Sequence, residues 1–184
     1  IFASLTRATR APQTTDLYRL RDSDRTGPLE PDPADVDSET LDSFEIGYRS
    51  FGSSLPYEIS LFTMRKENYH FRDGSDYYET DGETSHEGVE LELDWQINDA
   101  LSLHSGVSWA KHEYAFNRDV SGGNALETIT DGNYIDSSPK TLGNSTLLWQ
   151  ATPRLSAAAQ WEHVGSYYMD ASNTQKYEGH DLVN

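Results

Sequence analysis

The sequence predicts an all-β chain, an antiparallel up-and-down meander forming part of the wall of a large transmembrane β-barrel, with short periplasmic turns and long extracellular loops. Three observations predict it. Apolar and polar residues alternate along each candidate strand, which places one set on a face that can meet lipid and the other on a polar face. The strands are joined in turn by a very short connection and a very long one. The long connections are acidic and rich in Gly, Asn, Ser and Pro, residues that favour turns and bury little.

The first strand runs from Ile1 to about Thr9 and enters a long segment, Arg10 to Thr40, that carries Asp22, Asp24, Glu30, Asp32, Asp35, Asp37 and Glu39. Phe44-Glu45-Ile46-Gly47-Tyr48-Arg49 alternates again and reaches Tyr57-Glu58-Ile59-Ser60-Leu61-Phe62 through a tight turn at Phe51 to Leu55. A second long segment covers Glu67 to Ser85. The clearest strand follows: Val89, Leu91, Leu93, Trp95 and Ile97 alternate with Glu90, Glu92, Asp94 and Gln96. Asn98, Asp99 and Ala100 turn it into a strand from Leu101 to about Lys111. The third long segment spans Asn117 to Pro139. Thr152, Pro153 and Arg154 connect a strand ending in Leu147-Leu148-Trp149-Gln150 to one holding Leu155, Ala157, Ala159 and Trp161. A fourth polar segment, Asp170 to His180, precedes Leu182 and Val183, where another strand begins.

Composition narrows the function classes. The 184 residues include 35% hydrophobic residues, and the mean hydropathy is -0.73. No run approaches the roughly 18 apolar residues of a membrane-spanning helix, but alternating barrel strands carry low average hydropathy by construction. The 31 acidic and 14 basic residues give a net charge of -17, which repels phosphate backbones, so no nucleic-acid partner is expected. With no cysteine, disulfides, thiolate metal sites and thiol catalysis are excluded. No G-x-S-x-G, phosphate-binding glycine loop or H-E-x-x-H is present, so no enzyme activity, cofactor or catalytic residue is expected. The six histidines lack ligand spacing, and of them only His104 and His112 read as sharing a face, too far apart to chelate one ion. No metal site is therefore expected, although Asp73-Gly74-Ser75-Asp76 and Asp81-Gly82-Glu83 offer the oxygens and turns of a calcium loop as the alternative to a plain acidic loop.

Trp95, Trp109, Trp149 and Trp161 fall on the apolar face, where indole suits a bilayer interface; Trp95 and Trp149 fit an inner-side girdle and Trp109 an outer one. Glu45, Arg49, Glu90, Glu92 and Asp94 fall on the opposite, lumenal face. Gly47, Gly88 and Gly106 lie in or at the start of strands, where glycine permits bending or close backbone approach.

Three strings at the predicted strand boundaries carry a family resemblance. Arg10-Ala11-Pro12 followed by Leu17-Tyr18 resembles the F-R-A-P-x-x-x-x-L-Y signature of TonB-dependent outer-membrane receptors, with Thr9 in place of the aromatic residue. Glu39 through Arg49 is similar to the family's P-E-x-x-x-x-y-E-l-G-y-r segment, with Ser38 replacing proline. Gly88-Val89-Glu90-Leu91 resembles the G-x-E opening of the next strand. The resemblance implies a plugged barrel of about 22 strands in the bacterial outer membrane. It also implies a ferric siderophore or similar scarce nutrient as ligand, outer-membrane lipid around the wall, and TonB reached through an N-terminal region outside this chain. The chain is read as about seven strands plus the start of an eighth from the C-terminal part of that barrel, with both ends cutting through a larger protein.

Arginine and aromatic side chains above the mouth can engage an aromatic chelating ligand by stacking or cation-π contact, which selects Arg72, Tyr77, Tyr78 and Tyr134 as candidate ligand contacts. The competing reading is a soluble or surface β-domain that binds carbohydrate or a protein partner. It requires the apolar face to pack against a second sheet within the same chain.

Overall fold

The computed structural model describes residues 1–13, 36–52, 55–72, 78–122 and 125–184. Its strands are β1 (Phe2–Arg10), β2 (Glu39–Ser50), β3 (Tyr57–Arg72), β4 (Tyr78–Asn98), β5 (Leu101–Tyr114), β6 (Arg118–Gly122), β7 (Ala125–Ile129), β8 (Thr141–Thr152), β9 (Leu155–Val164), β10 (Tyr167–Tyr168), β11 (Lys176–Tyr177) and β12 (His180–Val183). Eight of them form one antiparallel sheet in the order β1-β2-β3-β4-β5-β8-β9-β12, and β6-β7 and β10-β11 are separate small hairpins. The chain is thus all-β, a meander in which the only strands skipped by the main sheet belong to the long connections.

Register follows the alternation. Ile59, Leu91 and Val107 lie in one row across β3, β4 and β5, and Leu61, Val89 and Trp109 in the next. The polar set, Ser60, Glu90 and Ser108, lies between them on the other face. Leu61 is 55% exposed and Trp109 47%, so no second sheet among the described residues covers the apolar face. That removes the soluble-sandwich reading, because an uncovered stripe of this size needs lipid rather than water against it.

The height of the apolar stripe is also set by the sequence. On β3 it runs from Tyr57 to Thr63, about 20 Å at the rise of an extended strand. Above it the same face turns ionic: Arg7 pairs with Asp42 at 2.5 Å, Arg65 with Glu83 at 2.7 Å and Lys111 with Glu113 at 2.8 Å. At the turn end, Tyr48 and Tyr57 pack with ring centroids 5.8 Å apart on the face that also holds Trp95 and Trp149. The two tyrosines belong to the inner girdle with the tryptophans.

Two strands outrun the membrane. β3 has 16 residues and β4 has 21, against the roughly 9–11 that a tilted strand needs to cross. The expected loop at Glu67 to Ser85 is therefore mostly ladder, with 73–77 outside the described residues. Asp81 and Glu83 are strand residues, Glu83 opposite Glu67, and Gly82 lies opposite Tyr69, so the second half of the candidate calcium loop is ladder, while Asp73-Gly74-Ser75-Asp76 lies outside the described residues. Hydropathy hid the extension because, once the ribbon leaves the bilayer, its outer face is ionic and its inner face mixes Met64, Tyr69 and Phe71 with charged and polar residues. Similarly, the segment Asn117 to Pro139 holds the β6-β7 hairpin, and Asp170 to His180 holds β11 and the start of β12.

Strand glycines admit aromatic rings. Phe62 lies opposite Gly88 and Phe2 opposite Gly47, each ring resting over the space a Cβ would take. At Gly88 that Cβ would stand 2.6 Å from Phe62 Cζ and 2.6 Å from the Trp109 carbonyl oxygen. The ring can shift but the ladder carbonyl cannot. Gly88→Ala is expected to cost about 1–3 kcal/mol, the usual penalty of overpacking, read as a lowered denaturant midpoint of the full-length barrel in detergent. Gly52→Ala, where nothing stands within 4 Å but φ is +79°, separates backbone strain from crowding.

Candidate functional site: the cap above the strands

Among the described residues, the second, third and fourth connections assemble on top of the wall around an apolar nucleus of their own. Tyr114, Val120, Ile129 and Ala171 are buried together, with Tyr69, Phe71, Phe116 and Ile135 packed around them. These residues come from the tops of β3 and β5, from the β6-β7 hairpin and from the segment between β10 and β11. Phe71 sits 4.9 Å from Phe116, and Tyr114 meets Phe116 edge-on at 5.7 Å, arrangements that aromatic quadrupoles favour.

Hydrogen bonds stitch the third and fourth connections together. Thr128 N–H donates to Ser172 Oγ at 2.7 Å, Ala171 N–H to Glu127 Oε2 at 2.6 Å and Asn133 Nδ2 to the Ala171 carbonyl at 3.0 Å. Asn173 accepts from Tyr134 N–H and donates to the Tyr134 carbonyl, both at 2.7 Å. Its φ of 57° is left-handed, a conformation that asparagine tolerates better than most residues. Asp170 closes the turn by accepting from Gln175 N–H at 2.7 Å and from the Thr174 hydroxyl at 2.7 Å. Burial opposes ionisation of this carboxyl, but the Gln175 amide and the Thr174 hydroxyl and amide together hold it below the usual carboxylate range.

The first connection is anchored at its base by Glu39. That side chain is only 3% exposed and is held by Arg10, by Lys66 Nζ at 3.1 Å and by His70 N–H at 3.2 Å. Lys66 also lies 4.8 Å over the Tyr69 ring. Asn68 Nδ2 donates to the Ser38 carbonyl at 3.0 Å, so the first and second connections leave the wall side by side.

Of the candidate ligand contacts, Tyr134 is fully placed. It bridges to Glu113 on β5, its ring stacks on Tyr168 at 6.0 Å, and Lys140 Nζ stands 3.7 Å from its centroid. Arg72 and Tyr78 pair across the top of the β3-β4 ribbon. Tyr77 and the side chains of Arg72 and Tyr78 lie outside the described residues, as do Asp22, Asp24, Glu30, Asp32, Asp35 and Asp73 through Asp76. Lys140 and Tyr168 are not legible from sequence as partners of Tyr134, since they come from the residue just before the upper end of β8 and from β10.

The histidines are also rearranged relative to their sequence spacing. His86 faces His112 across β4 and β5, with Nδ1 to Nδ1 at 2.8 Å. His104, lower on β5, instead pairs with Asp94 at 2.5 Å. Cross-strand register, not spacing along one strand, decides which histidines meet. Among the described residues no group of three or more His, Asp or Glu side chains is placed to hold a metal ion.

A meander with a lipid-ready face, a polar face and a stitched cap over the loop end defines a segment of a transmembrane barrel receptor wall. Residues 1–184 match the family model described as TonB dependent receptor-like, beta-barrel, and the chain belongs to that family. Its members are outer-membrane receptors of Gram-negative bacteria rather than enzymes, which places this chain in the outer membrane. Among curated proteins, it is 25% identical over 76% of its length to a probable TonB-dependent siderophore receptor, PiuA, of Acinetobacter baumannii, and 25% identical over 78% to the ferrioxamine receptor of Yersinia enterocolitica. It covers 19% of each, so the chain spans about a fifth of the curated relatives it matches. The crystal structure of the siderophore receptor PiuA from Acinetobacter baumannii superposes with a TM-score of 0.75 at 20% identity, over 98% of this chain and 26% of that one.

Proposed function

We propose that the whole protein binds a ferric siderophore at its extracellular face and imports it through a plugged barrel, with energy delivered by TonB through a region outside this sequence. The observation that carries the reading is the family match over residues 1–184, joined to relatives named as siderophore receptors. The cap supports it physically: the second, third and fourth connections, held to one another around a shared nucleus, make a surface rigid enough to preorganise contacts above a pore. Arg72, Tyr77, Tyr78 and Tyr134 are the proposed ligand contacts. In this reading the Lys140 ammonium and the Tyr168 ring orient Tyr134, so that its free edge and hydroxyl face a ligand with aromatic chelating groups.

Deleting the full-length gene is expected to abolish growth on at least one chelated-iron source that the parent strain uses; unchanged uptake of every siderophore complex tested would overturn the proposal. In the purified full-length receptor, Tyr134→Ala is expected to weaken binding of the transported complex about 3- to 30-fold, the worth of one aromatic or cation-π contact. Tyr48→Ala, at the opposite end of the wall, leaves affinity unchanged in the same assay.

A further inference from the structure

The paired histidines have a geometry that the cap does not require. His86 and His112 project from adjacent strands on the polar face, just beneath the cap, and both are half-buried. Their Nδ1 atoms stand 2.8 Å apart. His86 Nε2 lies 3.0 Å from Thr84 Oγ1, a side chain that is itself only 2% exposed. Met64 occupies the same row on β3, opposite His86. Phe62, Met64, Thr84, His86, His112 and Ile135 line one cavity. Ile135 N–H donates to the His112 carbonyl at 3.0 Å, which fixes the roof of the cavity to the strand that carries the second histidine.

We propose that His86 and His112 are a binding site for a late first-row transition-metal ion, held by the two Nδ1 atoms, with Cu2+ the tightest of the divalent series. Three features support it. Metal-bound imidazole nitrogens sit at about 2.0–2.1 Å from the ion, and a tetrahedral angle then separates the two nitrogens by about 3.3 Å. The rings need part by only about half an ångström from their present spacing to admit the ion. Second, a ligating histidine normally gives its other ring N–H to a fixed oxygen, and Thr84 Oγ1 is that oxygen for His86. Third, binding needs no net loss of protons: two neutral imidazoles each keep one hydrogen, and moving it to Nε2 frees both Nδ1 lone pairs. Water, and the Met64 thioether and Glu90 carboxylate that line the same cavity, are the ligands available for the remaining positions. Lys66 lines the same cavity one row above, opposite Thr84, and its charge is matched by Glu39 at 3.1 Å, outside that cavity's lining.

The site does not depend on siderophore transport, and its test contains no siderophore. The full-length receptor in detergent is titrated with Cu2+ alone and followed by electron paramagnetic resonance and calorimetry. The expected result is a stoichiometric ion whose spectrum carries hyperfine splitting from two imidazole nitrogens. His86→Gln and His112→Gln each reduce it to one nitrogen and weaken binding, the double variant removes the stoichiometric ion, and Thr84→Val weakens it roughly tenfold. His104→Gln changes nothing. Absence of a stoichiometric ion in the unaltered receptor overturns the proposal, as does a two-nitrogen spectrum that survives in the double variant. Because the first criterion is read on the unaltered protein, a variant that fails to fold leaves the test decisive.

Discussion

Leu91→Arg is expected to destabilise the full-length barrel by about 2–4 kcal/mol, the cost of a guanidinium at the bilayer midplane of a β-barrel. Leu91 stands mid-height on the apolar face, in a row with Ile59 and Val107, one row above Leu93 and one row below Val89. The side chains around it on that face are Tyr57, Ile59, Leu61, Val89, Leu93, Val107, Trp109 and the small Ser105, none of them charged, so the arginine finds neither a carboxylate nor a water-filled lumen. The next residue, Glu92, points to the polar face, opposite Glu58 and Gly106. Glu92→Gln there is expected to cost less than about 0.5 kcal/mol, as for an ordinary surface change. Guanidinium titration of the barrel folded into phospholipid vesicles measures both. Equal costs for the two variants would mean that the faces are wrongly assigned, since a one-residue slip exchanges lipid for lumen along the whole strand.

Ile129→Ala is expected to remove about 2–4 kcal/mol from the cap while leaving the wall intact. Ile129 is 2% exposed, closes β7, and packs in the nucleus with Tyr114, Val120 and Ala171. Removing three carbons from such a site loses transfer energy and leaves a cavity. The nucleus is small, and the strands below it are held by the ladder of an eight-stranded sheet. The loss therefore appears as local opening rather than global unfolding. Hydrogen exchange is expected to show β6, β7 and the Asp170–Gln175 turn losing protection together, with β3, β4, β5 and β8 unchanged below Trp109. A uniform loss across the sheet would mean that cap and wall are one cooperative unit. Val120→Ala acts on the same nucleus and is expected to reproduce the pattern with a smaller effect.

Much of the wall was readable from the order of residues. The period-two alternation of Val89 to Ile97 set both faces, and the three tight connections at Phe51–Leu55, Asn98–Ala100 and Thr152–Arg154 set the direction of every strand. What escaped was the upper part of β3 and β4. Their residues above Thr63 and below Glu87 carry charge on the outer face and mixed polarity on the inner one, so hydropathy has no period there, although the backbone ladder continues. Small hairpins were missed for the same reason: β6, Arg118–Gly122, and β7, Ala125–Ile129, are five residues each and sit within turn-rich composition.

Sites follow the same division. An alternating strand dictates that Glu90 and Leu91 face opposite ways whatever surrounds them, because successive side chains leave the pleat on opposite sides. No such local rule connects His86 to His112, Tyr134 to Lys140 and Tyr168, or Glu127 to the Ala171 amide. Those pairings depend on register between strands and on how separate connections pack, which are long-range properties. The sequence by itself therefore determined an all-β membrane wall, its two faces, its orientation and its family. Only the tertiary structure decided that the long connections are a stitched cap with its own nucleus, and which histidines and aromatics meet beneath and within it, because those contacts form between segments that no local pattern ties together.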